Sequence, residues 1–354
     1  MGIKQHQKTP SKIMIKTKEK SRILAVKEGY GVAVDLGATN LKVAIGLRNG
    51  KILAKKSEPT AAVSGSKALT RKIIDRINGF LIELNLPYER LMGIGVGAIG
   101  PLDRKKGGIV KSPNIPHYNF ISIVQPLTNE FNVSVHLLND CVAGVVGEKL
   151  FGLGASEENL AYITISTGIG GGVFVDGHLL LGKDGNAHEI GHMVIDYQGR
   201  LLCGCGKRGH WEAYCSGRNV PNYTRIIFED EGWKSFSKSL LNSYTEGDPN
   251  KITTKDIYYG AQQNEKTCLK IVEEVGRLNA IGFANVVNVY DPSLITVGGA
   301  VALNNRNLVI TPINKYLNRY IINNPPIIKI TPLDENIVLY GALAAAFNLV
   351  NSQT

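Results

Sequence analysis

The segment GVAVDLGATNLKVAIGL, residues 31–47, has small and β-branched apolar residues on both sides of Gly37, a pattern that predicts a β-hairpin. A second segment, AYITISTGIGGGVFVDG at residues 161–177, has glycines at its centre and predicts another hairpin. Each hairpin is followed by a region in which strand patterns alternate with helix patterns, which is typical of α/β layers. The sequence therefore predicts two similar α/β domains that face one another.

Apolar spacing predicts the other main elements of the chain. Helices are predicted at residues 66–85, 141–150, 264–289 and 339–350, and strands at residues 133–139 and 293–299 and in residues 91–103, where the strand runs into a Gly/Pro turn. The strand at 133–139 ends at the pair Asn139 and Asp140, which places two polar side chains at its carboxyl end.

Length and composition indicate an ordinary globular protein. The 354 residues are enough for about two domains of ~150 residues each. No stretch approaches the roughly 20 apolar residues of a membrane-spanning helix, so no membrane association is expected. The five cysteines are odd in number, and two of them lie one residue apart, which favours free thiols or metal ligands in a reducing compartment. A cytoplasmic location is therefore expected.

The net charge of +10 is concentrated at the N-terminus. Residues 1–28 contain eight basic and two acidic side chains, without the apolar core of a secretory signal. Residues 1–29 are therefore expected to form a disordered basic arm, with a weak anchor to nucleic acid or acidic surfaces as the alternative. Such attraction has no sequence specificity, so no specific nucleic-acid partner is expected.

The first hairpin has the groups needed to bind a phosphate. Gly37 lets the backbone approach a phosphate closely, and Thr39 and Asn40 supply polar groups beside it. Asp35 can hold Mg²⁺ through water, and Lys42 is a candidate partner for its charge.

The second hairpin offers Thr167, Gly168 and the run Gly170–Gly172, whose successive backbone N–H groups suit an anion-binding nest. Gly298 and Gly299 follow a third predicted strand. Glycines in a turn are also explained by a positive φ angle alone, and that alternative remains open for either hairpin by itself. Taken together, the three segments predict a nucleotide phosphate site, although the P-loop pattern is absent.

The segment HEIGH, residues 188–192, fits the H-E-x-x-H pattern of a zinc metalloprotease helix. The glycine inside it disfavours a helix by ~1 kcal/mol relative to alanine. Moreover, His192, Cys203, Cys205 and His210 form a set of four N and S ligands, the composition of a structural zinc site with no coordination position for water. A protease needs that position for its catalytic water, so the sequence favours a structural site.

Six motifs occur in a fixed order: DLGATNLK, LNDCVAG, ISTGIGGG, HEIGH, CGCGKRGHWEAYCSG and VGGA. Over about residues 30–350 they resemble the ROK family of bacterial and archaeal sugar kinases and related repressors. The resemblance implies an α/β, two-domain actin-like ATPase (ribonuclease H-like) fold. It implies a smaller domain at 30–138 joined by a C-terminal helix at 339–354, and a larger domain at 139–338 with a zinc-binding loop.

The resemblance also implies a reaction, in which the γ-phosphoryl group of ATP passes to a sugar hydroxyl with Mg²⁺ as cofactor. Asp140 would accept the hydroxyl proton, although an Asn-Asp pair also suits a helix cap. The residues expected at the sugar are Gly100, Asn114, Asn139, Asp140, Glu189, His192 and Glu212. The residues expected at ATP and Mg²⁺ are Asp35, Gly37, Thr39, Asn40, Lys42, Thr167, Gly168, Gly298 and Gly299.

The zinc motif departs from the family pattern, because His210 stands where the family has a third cysteine. Imidazole is a good zinc ligand, so a Cys₂His₂ site is expected, with Cys215 either a substitute ligand or a small buried residue. Zinc would fix the loop that carries Glu189 and Glu212, and His192 would link the metal to the sugar.

A second departure is His188, which stands where the family has glycine. Its ring either reshapes the sugar pocket or points to solvent.

The expected reaction is the phosphorylation of glucose at its 6-hydroxyl. N-acetylmannosamine, N-acetylglucosamine or fructose are alternative substrates. A sugar-responsive repressor is the second hypothesis, but it would need a helix-turn-helix, and the residues before Tyr30 contain no pair of amphipathic helices. Dimers are common in the family, so a homodimer or higher homo-oligomer is expected.

Overall fold

The computed structural model describes residues 27–60, 66–112, 115–183 and 185–349. Residues 1–26 and Asn114 lie outside the described residues, so the predictions of a disordered arm and of a sugar contact at Asn114 remain predictions. Within the described part of the chain, no helix is long and apolar enough to cross a membrane.

The described elements alternate between strands and helices. The strands are β1 (Tyr30–Leu36), β2 (Asn40–Gly46), β3 (Ile52–Pro59), β4 (Leu91–Ala98), β5 (Leu102–Asp103), β6 (Gly108–Ser112), β7 (Ile115–Ser122), β8 (Val135–Asn139), β9 (Leu160–Ile165), β10 (Ile169–Val175), β11 (His178–Leu179), β12 (Leu294–Gly298) and β13 (Ile327–Ile330). The helices are α1 (Ser66–Glu83), α2 (Val124–Phe131), α3 (Asp140–Phe151), α4 (Glu212–Cys215), α5 (Val220–Asp230), α6 (Lys234–Ser237), α7 (Leu240–Tyr244), α8 (Thr254–Gln262), α9 (Lys266–Tyr290), α10 (Ala300–Asn304), α11 (Arg306–Leu317) and α12 (Ile337–Ala346). Both predicted hairpins, β1–β2 and β9–β10, are confirmed, as is the long helix α9.

The two large sheets have the same topology. Their strand orders are β3-β2-β1-β4-β8 and β11-β10-β9-β12-β13. In each sheet the first three strands in sequence pair antiparallel, and the last two are added in parallel. Parallel strands end at the same edge, so β1, β4 and β8 bring their carboxyl ends together, as do β9, β12 and β13. These edges are where α/β proteins bind ligands.

Two helices connect the sheets. Helix α3 begins at the end of β8 in the first sheet, but its Val145 packs against Tyr162 of the second sheet. Helix α12 follows β13 of the second sheet, but its Leu343 packs against Ala33 of the first sheet. A Cβ atom at Gly95 in β4 would clash with the backbone of α12, so the glycine lets this Ala-rich helix lie directly on the sheet. The two halves of the molecule are therefore packed together through crossing helices.

Candidate functional site

The edge of the first sheet gathers several predicted site residues. Asn139 ends β8, and its Oδ1 accepts hydrogen bonds from the backbone N–H groups of Cys141 (2.9 Å) and Val142 (3.4 Å). Asn139 is therefore the N-cap of α3, as the alternative prediction held. A Cβ atom at Gly100, after β4, would lie 3.3 Å from Nδ2 of Asn139, so these two predicted sugar residues are neighbours.

Asp140 is the first residue of α3, where its Oδ1 accepts a hydrogen bond from the Cys141 N–H at 2.8 Å. Burial raises the pKa of the Asp140 carboxyl, hydrogen bonds from Cys141 oppose that rise, and the negative charge of Glu189 adds to it. Asp140 thus lies within electrostatic reach of Glu189, although the two are distant in sequence. A carboxylate with a raised pKa is a better proton acceptor than an ordinary one.

Asp35 is buried at the end of β1, opposite Lys42 in β2. The Lys42 Nζ lies 3.5 Å from Oδ2 of Asp35 and also donates to the carbonyl of Glu335 at 2.6 Å. Burial raises the pKa of Asp35 to about 6, Lys42 opposes the rise, and the charge of Asp140 adds to it. The predicted Mg²⁺ carboxylate and the predicted base are therefore electrostatically coupled.

The first hairpin turn is held in one shape by Thr60. The Gly37 N–H donates to the Asn40 carbonyl at 3.0 Å, and the Thr60 hydroxyl donates to the Gly37 carbonyl at 2.8 Å. The side chains of Thr39 and Asn40 are exposed beside this turn. The turn therefore presents both predicted polar groups to solvent from a fixed backbone.

The prediction that Gly170–Gly172 form a nest is wrong. These glycines lie in β10, which pairs antiparallel with β9, so their backbone is extended and does not have the curled conformation of a nest. Their role is close packing: a Cβ atom at Gly170 would lie 2.6 Å from Sγ of Cys141 in α3, and one at Gly171 would lie 2.5 Å from Cδ1 of Ile190. The glycines let β10 lie between the start of α3 and the HEIGH segment.

Thr167 and Gly168 occupy the turn between β9 and β10, at the carboxyl edge of the second sheet. Gly299 follows β12, the parallel neighbour of β9, with φ at 86°. A Cβ atom on Gly299 would lie 2.5 Å from the Ile165 carbonyl oxygen, so only glycine fits there. The structure therefore brings Thr167, Gly168, Gly298 and Gly299 to one edge, as the phosphate-site prediction requires.

HEIGH does not form a metalloprotease helix, because only a single 3₁₀ turn, Ile190–His192, is present. His188 is 2% exposed, so the expectation that its ring points to solvent is wrong. Burial lowers the pKa of His188, and its buried Nε2 has no hydrogen-bond partner in the described part of the chain. Among the described residues, His192 belongs to a group of possible metal ligands that does not include His188, so the two histidines of HEIGH do not form a shared metal site.

His192, Cys203, Cys205 and His210 offer ligand atoms that all lie within 4.8 Å of one another. The Nδ1 atoms of the two histidines are 3.3 Å apart, and the Cys–His distances are 3.7 Å and 3.3 Å. Tetrahedral zinc with ordinary bond lengths needs N···N near ~3.3 Å and N···S near ~3.6 Å, so the donor set fits that ion. Cys215 is fully buried elsewhere, with its Sγ 3.6 Å from the Val275 carbonyl oxygen, and is not part of the set.

Two carboxylates flank this cluster. His192 directs Nδ1 to the cluster, and its Nε2 lies 3.6 Å from Oε2 of Glu189. Glu212, two residues after His210, accepts a hydrogen bond on Oε2 from the Ile169 N–H at 2.8 Å. Neither Thr60 nor Ile169 was among the predicted site residues. Both act through contacts between segments distant in sequence, which leave no local signal.

Two sheets of matching topology, with glycine turns at their functional edges and carboxylates between them, define a protein of the actin-like ATPase class. The model of the ROK family matches residues 31–348, and the chain belongs to the ROK family.

Three relatives show the range of this family. The chain is 37% identical to a glucokinase of Aeropyrum pernix, over 82% of this chain and 87% of the relative. It superposes with a TM-score of 0.73 on a ROK family glucokinase from Streptomyces griseus in complex with glucose and AMPPNP, at 27% identity, over 90% of this chain and 100% of that one. It is 30% identical to the xylose repressor of Bacillus subtilis, over 78% of this chain and 65% of the repressor.

Proposed function

We propose that this protein is an ATP-dependent hexose kinase that converts glucose to glucose 6-phosphate. The observation that carries the proposal is the position of Asp140, which begins α3 at the carboxyl edge of the first sheet, directly after the predicted sugar residue Asn139. The similarity to glucokinases across most of the chain supports glucose as the acceptor.

In the proposed reaction, the Asp140 carboxylate accepts the proton of the sugar 6-hydroxyl as its oxygen attacks the γ-phosphorus of ATP, and ADP leaves with the bonding electron pair of the broken P–O bond. The raised pKa of Asp140 suits this step. The residues proposed to hold the sugar are Gly100, Asn114, Asn139, Asp140, Glu189, His192 and Glu212.

The proposed nucleotide site combines the two glycine turns. Asp35 would hold Mg²⁺ through water, and a bound Mg²⁺ neutralises phosphate charge. The other proposed residues are Gly37, Thr39, Asn40, Lys42, Thr167, Gly168, Gly298 and Gly299. The hydrogen bond that closes the first turn, and the position of the second turn at the carboxyl edge of its sheet, support this assignment.

We also propose that zinc occupies the cluster of His192, Cys203, Cys205 and His210. The interatomic distances and the chemistry of the donors support it. With four protein ligands such an ion has a structural role, which is to fix the loop that carries Glu189.

We also propose a domain division and an oligomeric state for the chain. The chain divides at about residue 138 into a smaller domain, completed by the C-terminal helix, and a larger one, and the crossing of α3 and α12 supports this division. A homodimer or higher oligomer is proposed from the family resemblance, and light scattering on the purified protein checks it.

The repressor hypothesis retains one supporting observation, the similarity to the xylose repressor. A coupled assay of ADP release separates the two functions and identifies the sugar. The wild type should turn over glucose with a higher kcat/KM than N-acetylmannosamine, N-acetylglucosamine or fructose. Absence of turnover with every sugar, in protein that binds glucose, would refute the kinase and favour the repressor.

A further inference from the structure

The segment that follows the last cluster ligand is attached to the turn between β9 and β10 at three points. The Ile169 N–H donates to Oε2 of Glu212 at 2.8 Å. The Gly217 N–H donates to the Ser166 carbonyl at 2.6 Å, and the Arg218 N–H donates to the Thr167 carbonyl at 3.3 Å. Every residue of the Ser166–Ile169 turn except Gly168 is thus bonded to residues 212–218.

Gly168 is also in close contact with the same segment. A Cβ atom at Gly168 would lie 2.5 Å from Oε2 of Glu212, so the carboxylate fills the space beside the turn. Only a glycine at this position allows the Ile169 N–H and the Glu212 carboxylate to meet.

Glu212 is itself rigidly placed. The preceding residue, Trp211, is fully buried, and its Nε1–H donates to Oδ1 of Asn279 in α9 at 2.8 Å. The Glu212 carbonyl accepts a hydrogen bond from Nδ2 of Asn219 at 3.0 Å. The carboxylate is therefore carried on a backbone anchored to the core, which makes it suited to fixing the more exposed turn.

We propose that Glu212 is a positioning residue for the nucleotide turn, in addition to its proposed contact with the sugar. Oε2 holds the Ile169 N–H and so sets the shape of the backbone at residues 167–168, while Oε1 has no hydrogen-bond partner among the described residues and can accept a sugar hydroxyl. One carboxylate then serves both substrates, so sugar and nucleotide should strengthen each other's binding by the same factor. Only the part of this inference that concerns the sugar rests on the proposed kinase function.

The test measures binding of AMPPNP with Mg²⁺ by calorimetry, first without sugar. Glu212→Gln keeps an acceptor oxygen at the same reach, so the nucleotide Kd should stay within about fivefold of wild type. Glu212→Asp keeps the charge but shortens the side chain by about 1.5 Å, so it cannot reach Ile169, and the Kd should rise by roughly tenfold or more. Glu229→Asp is the control, since it shortens an exposed carboxylate on α5 by the same amount and should leave the nucleotide Kd unchanged.

Repeating the titration with saturating glucose measures how strongly sugar binding and nucleotide binding are coupled. The wild type should gain nucleotide affinity, and Glu212→Asp should lose that gain. A nucleotide Kd in Glu212→Asp equal to that of the wild type, or a larger loss in Glu212→Gln than in Glu212→Asp, would overturn the positioning role. Because the first titration contains no sugar, a failure of hexose turnover alone refutes the proposed function and leaves this result standing. A wild type that does not bind AMPPNP refutes both.

Discussion

Replacing Asp35 with Asn should make the ligand-free protein more stable at neutral pH, and the gain should vanish in acid. Asp35 is buried at the end of β1, and its pKa is raised to about 6, against roughly 3.9 for an unfolded chain. The folded state therefore binds more protons than the unfolded state between these values. By linkage, the stability associated with Asp35 is greatest below pH ~4 and is lost as pH rises through about 6.

The size of the stability gain follows from the pKa shift of Asp35. A difference of about two units at ~1.36 kcal/mol each amounts to about 3 kcal/mol at pH 7.5. Asparagine resembles the protonated acid in shape and carries no charge to desolvate. Lys42 does not become isolated, because its Nζ still donates to the Glu335 carbonyl. A gain of that size should raise the melting temperature on the order of 5 °C.

The assay is thermal and urea unfolding of wild type and Asp35→Asn in EDTA, at pH 4 and pH 7.5. The variant should be more stable at pH 7.5 and equal to the wild type at pH 4. Addition of Mg²⁺ and AMPPNP should then stabilise the wild type more than the variant, because the buried charge has gained its counter-ion. The assignment of a destabilising buried charge to Asp35 would be refuted by a variant that is no more stable than wild type at pH 7.5. It would also be refuted by a difference in stability of the same size at both pH values.

Three further predictions concern the other parts of the site. Asp140→Asn should retain the fold and sugar binding but lower kcat by about 10²–10⁴-fold, because an amide cannot accept the hydroxyl proton; steady-state kinetics that show less than a tenfold loss would contradict the base assignment. Glu189→Gln should raise the sugar KM by roughly tenfold and leave the ATP KM unchanged, because charge-assisted bonds to hydroxyls are weakened; an unchanged sugar KM would remove Glu189 from the sugar site. Metal analysis should find about one zinc per chain in the wild type and none in Cys205→Ser, which should also melt at a lower temperature; a fully active, zinc-free wild type would end the zinc hypothesis.

The two carboxylates proposed to contact the sugar, Asp140 and Glu212, are attached to different sheets. Asp140 begins a helix that leaves the first sheet, whereas Glu212 contacts the turn of the second sheet directly. Binding of a sugar to both carboxylates would therefore connect the two sheets, in addition to the crossing of α3 and α12.

Several features of the protein were predictable from the residues themselves. Alternating apolar residues around Gly37 and in residues 161–177 predicted both hairpins, because strand formation depends on neighbours in sequence. The Asn139 cap was predictable for the same reason, since the capping oxygen and the N–H group it binds are two residues apart. The cluster of His192, Cys203, Cys205 and His210 was also predictable from sequence, because the four residues lie within one short segment and their types are rare as a set.

Other features were decided only by tertiary packing. The glycines at 170–172 have the composition of an anion nest, but they form a strand paired with β9. Gly170 packs against Cys141, and Gly171 packs against Ile190. His188 was expected at the surface as one alternative, yet the surrounding chain buries it. The bond from Ile169 to Glu212 joins segments that have no common pattern. Local preferences are set by residues a few positions apart, whereas these contacts exist because whole sheets and helices bury their apolar faces together, and the sequence specifies that result only through the complete fold.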